Sequence, residues 1–123
     1  MGRAPQFEAP DLSGITDRAA RDYNWQGNDE ATAVKWYVAF LALVYKNPGG
    51  QNYIVTTQAD QLWHTHMTFT VRYRQYCESV LGFFLDHTPL ATVPVLTEPE
   101  IQAVQAAYQN VGKVSPDLIV PCG

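Results

Sequence analysis

Apolar residues are densest between Trp36 and Tyr45, where the run WYVAFLALVY would be apolar on every side of a helix. A helix of that kind usually forms the buried centre of its domain. Its ends are marked. Asn28 is a good N-cap, Asp29 and Glu30 complement the helix dipole, and Ala31 to Lys46 holds no Gly or Pro before the stop Asn47-Pro48-Gly49-Gly50. A second pattern lies downstream. Phe69, Tyr73, Tyr76, Cys77, Val80, Leu81 and Phe84 recur at spacings of three and four, a helical stripe closed by Gly82 near a C′ position.

Shorter signals fill in the rest. Thr16, with Asp17 behind it, suits the cap of a short helix through about Tyr23, and Thr56 or Thr57 the cap of the segment that leads into the stripe. Tyr53-Ile54-Val55 suits an extended step. Thr97-Glu98-Pro99-Glu100 has the cap, first-turn proline and acid of a helix start, and that helix stops at Gly112. No alternating strands are visible. The expectation is an all-α, compact single domain spanning 1–123 with four or five helices, an irregular lead-in over 1–15 and an extended tail over 113–123.

Composition narrows the class. The chain has 123 residues, 46% hydrophobic and 16% charged, with a formal charge of −4. One domain with a real core follows, and the acidic balance argues against nucleic acid as a partner. The ten residues Trp36–Tyr45 fall short of the roughly 20 that span a bilayer. Two cysteines, Cys77 and the tail residue Cys122, do not make a disulfide scaffold. A cytoplasmic domain with no membrane partner is therefore expected.

The candidate chemistry sits in the histidines. All three, His64, His66 and His87, fall within one short stretch with Asp60 and Cys77, and imidazole, carboxylate and thiolate are ligands of zinc and related divalent ions. Asp60 and His64 are four residues apart and share a helix face. His64 and His66 point about 200° apart on a regular helix, so both reach one ion only if the helix breaks at His66. One helix from about Gln58 to Leu81 would keep Asp60 and Cys77 about 25 Å apart. Against this, Thr65, Thr68 and Thr70 are poor helix interior, and Thr68 or Thr70 suits the cap of a second helix that folds back and brings Cys77 beside Asp60. The balance leans toward the break. Arg72, Arg74, Lys35 and Lys46 are too few and too scattered to mark an anion site.

The run D-x-x-W-H-x-H-x-x-x-T-x-x-Y-x-x-x-C-x-x-x-x-G-x-x-x-x-H-x-P, here Asp60, Trp63, His64, His66, Thr70, Tyr73, Cys77, Gly82, His87 and Pro89, resembles the core of the glycine-rich domain-containing protein-like family. The resemblance covers roughly Ala31 to Pro89 and includes the apolar helix ending in KNPGG. It implies a helical module and sharpens fold and site more than reaction. Bacterial members often carry a second histidine where this chain has Asp86, and an aromatic and a glycine where it has Leu90-Ala91-Thr92.

Two functions remain open. The first is a small metal-dependent enzyme, with zinc as the ion, that acts on a small molecule by hydrolysis, hydration/dehydration or lyase chemistry, with a biosynthetic pathway as its expected setting. Its metal set is drawn from Asp60, His64, His66, His87 and Cys77. His66 is the fourth ligand or the general base, and Tyr73 is a second candidate catalytic group. The alternative is a non-catalytic helical module whose His/Asp cluster is structural and which meets a protein partner. Oligomeric state is not legible.

Overall fold

A computed structural model describes residues 2–46 and 56–86. Among them the chain is all-α and compact: α1 (Ile15–Asp22), α2 (Asp29–Lys46), α3 (Thr57–Thr68) and α4 (Thr70–Tyr76), which runs into a π-helical turn at Cys77–Leu81. The Asn-Pro-Gly-Gly stop, the Ile54-Val55 step, the helix expected from Thr97, His87 and Cys122 lie outside the described residues.

The central helix is α2. Trp36, Tyr37, Ala39, Phe40, Leu41, Leu43 and Val44 are buried with little interruption, as an all-round apolar helix requires. It packs chiefly on α3, where the Phe40 and Trp63 rings lie 4.7 Å apart between centroids. Asn28 helps to start α2 through its carbonyl, which accepts from Thr32 N–H. The Asp29 carboxylate adds a further link by accepting from Gln26 N–H at 2.8 Å. Thr56 is the cap of α3, its hydroxyl accepting from Ala59 N–H at 3.1 Å.

Two local expectations need correction. Helix α1 starts one residue before Thr16, and its N-cap is Gly14 at φ 74°, with no side-chain bond. The Leu12 carbonyl accepts from both Ile15 and Thr16 N–H, so a backbone turn does what a hydroxyl cap would have done. The break after α3 falls at Phe69 (φ −86°, ψ 67°), three residues beyond His66, and no threonine caps α4. The hydroxyls of Thr65 and Thr68 instead donate back to the carbonyls of Gln61 and Thr65, a competition with the helix ladder that often bends helices. His66 therefore stays in regular helix.

The lead-in is irregular but tied down. Ala4 N–H donates to the Val80 carbonyl at 3.0 Å, and the hydroxyls of Tyr45 and Tyr76 donate to the carbonyls of Ala4 and Glu8. Arg72 donates to the carbonyls of Asp11 and Ser13. Gly82 sits under this strap at φ 84°, and a Cβ there would meet Arg3 N at 2.5 Å. No helix among the described residues is long and apolar enough to cross a membrane.

Candidate functional site

Helix α3 distributes the motif over its sides as a period of 3.6 demands. Asp60 and His64 share one face, with Oδ1 and Nε2 3.7 Å apart and the His64 side chain 41% exposed. His66, two residues on, points into the core and is 1% exposed. Its Nδ1 lies 2.7 Å from the Tyr37 hydroxyl of α2. Aromatic rings surround it: Tyr37 and Tyr73 meet it edge-on at 5.7 and 4.9 Å, and Tyr76 lies at 6.1 Å. Burial, with the Arg72 guanidinium as a second cause, lowers the imidazole pKa to about 4, so His66 is neutral at neutral pH.

Tyr73 and Cys77 occupy the far side of this cluster. The Tyr73 hydroxyl accepts from the Trp63 indole N–H at 2.9 Å and donates to the Leu85 carbonyl at 2.5 Å. That satisfies a buried phenol, and burial holds its pKa well above the ordinary value. Cys77 is fully buried beside it, its thiol pushed up chiefly by burial. A thiol of that kind packs as a small apolar group.

The five candidate ligands are not gathered at one point. Among the described residues no three of His, Cys, Asp and Glu lie together in a way that could hold an ion. Asp60 and His64 form a pair, whereas His66 and Cys77 belong to the aromatic core. The break at Phe69 brings α4 back against α3, with the Trp63 indole on the Tyr73 hydroxyl, but does not add Cys77 to the Asp60–His64 pair as a group that could hold an ion.

A different grouping is present. A cavity of about 220 Å³ is lined by Pro10 and Asp11 of the strap and by His66, Arg72, Gln75, Tyr76 and Ser79. Every fully buried side-chain nitrogen and oxygen among the described residues has a hydrogen-bond partner. The described partner of His66 is Tyr37, at Nδ1, which leaves Nε2 as the ring nitrogen available to the cavity that His66 lines. Sequence reasoning reached His66 but not Tyr37 or Arg72. One signal for Tyr37 exists: a phenol inside an all-apolar helix must find a polar partner. Arg72 had none, since its neighbours Asp11 and Ser13 are distant in sequence.

No curated protein and no solved structure matches the chain. A family model described as UCP032817-like matches residues 12–113, a span that includes α1 through the π-helical turn and the whole of the Asp60–Pro89 motif. The chain therefore belongs to the UCP032817-like family.

Proposed function

We propose that this domain is a small enzyme acting on a small molecule by hydrolysis, hydration/dehydration or lyase chemistry, with His66 as its reacting side chain. One observation carries the reading: a buried imidazole, held at Nδ1 by Tyr37, forms part of the wall of a polar cavity. Such reactions need a positioned group that gives or takes a proton beside a polarised oxygen. Arg72, Gln75 and Ser79 supply polar contacts around it. Tyr73 acts in this scheme as a positioning residue, its ring edge-on to His66 and its hydroxyl engaged with Trp63 and Leu85.

Metal binding, with zinc as the ion, is a second proposal and uses the other side of α3. Two ligands about 2.0 Å from a tetrahedral zinc lie ~3.3 Å apart, and the 3.7 Å between Asp60 Oδ1 and His64 Nε2 needs only slight closure. His87 would be the third ligand. This is the same motif that resembles the glycine-rich domain-containing protein-like family, and membership there is a proposal that goes with it.

The test is turnover followed by proton NMR on a panel of small esters, lactones, hydroxy acids and unsaturated acids. Wild type, His66→Gln and His64→Ala are compared with and without a chelator. Turnover lost in His66→Gln and kept in His64→Ala and under chelation is expected. Turnover that survives His66→Gln but fails on chelation moves the chemistry to the metal side. No turnover by any protein, with chelation melting the fold, returns the non-catalytic interaction module.

A further inference from the structure

The polar groups around the cavity specify more than its location. The Tyr37 hydroxyl is fully buried, and its described hydrogen-bond partner is His66 Nδ1 at 2.7 Å. A buried O–H needs an acceptor. A ring nitrogen that carried a proton could not be that acceptor, and the Tyr37 hydrogen would then have no acceptor among the described residues. Nδ1 is therefore unprotonated, and the ring proton of the neutral imidazole is on Nε2, the nitrogen available to the cavity. His66 presents a donor to whatever enters.

The rest of the wall agrees. Arg72 has no acceptor atom, and two of its nitrogens are fixed on the Asp11 and Ser13 carbonyls, so the guanidinium is held in place before any ligand arrives. Asp11 supplies the one carboxylate of the lining, but it accepts from both the N–H and the hydroxyl of Ser13 and its side chain is 78% exposed. Its Oδ2 also lies 3.7 Å from Arg72 Nη2, so a ligand carboxylate would share the guanidinium with Asp11 at the rim. Gln75 and Ser79 can each donate as well. From this arrangement we infer that Tyr37 is a positioning residue which fixes His66 as an Nε2–H donor, and that the cavity takes a small carboxylate whose oxygen accepts from that donor beside Arg72.

The inference rests on the proposed use of the cavity, but its first test needs no turnover. In the full chain labelled with nitrogen-15, long-range proton–nitrogen correlations of the His66 ring report which nitrogen is protonated. Protonation at Nε2 at neutral pH is expected. A proton on Nδ1 alone overturns the assignment of Tyr37 while leaving an enzyme with His66 as base intact, and protons on both nitrogens overturn the assignment and leave His66 only the role of an acid. Tyr37→Phe should abolish the single fixed tautomer and give averaged ring-nitrogen signals. If Tyr37→Phe is unfolded, the wild-type spectrum alone still decides.

The second test titrates the same protein with acetate, succinate and benzoate against acetamide, succinamide and benzamide. Each acid is expected to move the His66 Nε2–H signal at a concentration at least tenfold below its amide, and Arg72→Gln to remove that preference. Added salt should weaken the acids and leave the amides unchanged. Amides that bind as well as acids, or no displacement of the signal by any of the six, overturn the ligand class. Turnover of an uncharged substrate in that case would leave the enzyme reading standing without it.

Discussion

Helix α3 carries two histidines two residues apart, and they meet opposite surroundings. His64 faces outward beside Asp60, one turn away on the same face, with 41% of its side chain in solvent. His66 is enclosed by Tyr37, Tyr73 and Tyr76, bonded at Nδ1 and lowered in pKa to about 4. The same imidazole is on one side a solvated partner for a carboxylate, on the other a neutral part of the core that opens on a cavity. Residue type named the chemistry available. The helix period, with the place where the helix breaks, decided which chemistry each ring can perform.

The sharpest way to break this comparison is truncation. His66→Ala removes a ring packed among three tyrosines and leaves the Tyr37 hydroxyl without its described partner, a loss of about 3 kcal/mol from cavity formation and an orphaned buried donor. His64→Ala removes a half-buried side chain that faces solvent on one side and should cost ~1 kcal/mol or less. Urea midpoints with unchanged slopes measure both. Equal losses at the two positions would mean that the two faces do not differ in packing.

Acid provides the next contrast. The folded pKa of His66, about 4, lies below the ordinary 6.5, because burial and, secondarily, Arg72 disfavour the charged ring; the other groups around it, Tyr37, Tyr73 and Tyr76, are neutral at these pH values. The unfolded chain therefore binds the extra proton first. The stabilising contribution of the neutral ring is complete above pH ~6.5 and is lost as pH falls through that value toward 4, by at most about 3 kcal/mol. His66→Gln should flatten this limb of the pH–stability curve. His64→Gln should leave the loss due to His66 in place, and a curve that flattened only in His64→Gln would reverse the assignment.

Much of this arrangement was legible in the residues. The all-round apolar run of α2, the Thr56 cap of α3 and the Gly82 stop followed from composition and spacing, since each is a local property of a few neighbours. The 200° separation of His64 and His66 was legible as well, but its consequence depended on where the helix breaks. A break does fall between Thr68 and Thr70, but past His66 and without a threonine cap, because the Thr65 and Thr68 hydroxyls bond backward to carbonyls instead of capping forward. Tyr37, Arg72 and the strap wall of the cavity were illegible for a different reason. Their contacts join α2 to α3, or α4 to the lead-in, across 29 to 61 residues of sequence, where no spacing rule reaches.

The strap gives a smaller test of why the inner face is inner. Gly82 at φ 84° lies so close under Arg3 that a methyl group would force the strap to move. Gly82→Ala combines left-handed strain with that clash, and about 1–2 kcal/mol of destabilisation is expected. Because the strap also supplies Pro10 and Asp11 to the cavity, amide exchange at Ala4, whose N–H bonds the Val80 carbonyl, should accelerate more than exchange within α2. Equal acceleration in both would mean that the strap is not a separate unit from the core.

The outer pair should yield the smallest number and the cleanest discrimination. Asp60 precedes His64 by one turn, the favourable order for an acid and a base on a helix, and such a pair contributes roughly 0.2–0.5 kcal/mol when the base is charged. A double-mutant cycle with Asp60→Asn and His64→Gln at pH 5.5 should return a coupling of that size, diminishing in salt because the His64 side of the pair is exposed. Added zinc then separates a surface ion pair from the proposed metal seat. A ligand that binds only the folded state raises its stability in proportion to the logarithm of its concentration. At pH 7 a seat at Asp60 and His64 predicts a midpoint that climbs with zinc in the wild type, stays flat in His64→Gln, and climbs undiminished in His66→Gln. Loss of the response in His66→Gln alone would place the ion on the inner face and unite the two sides of α3 that the fold keeps apart.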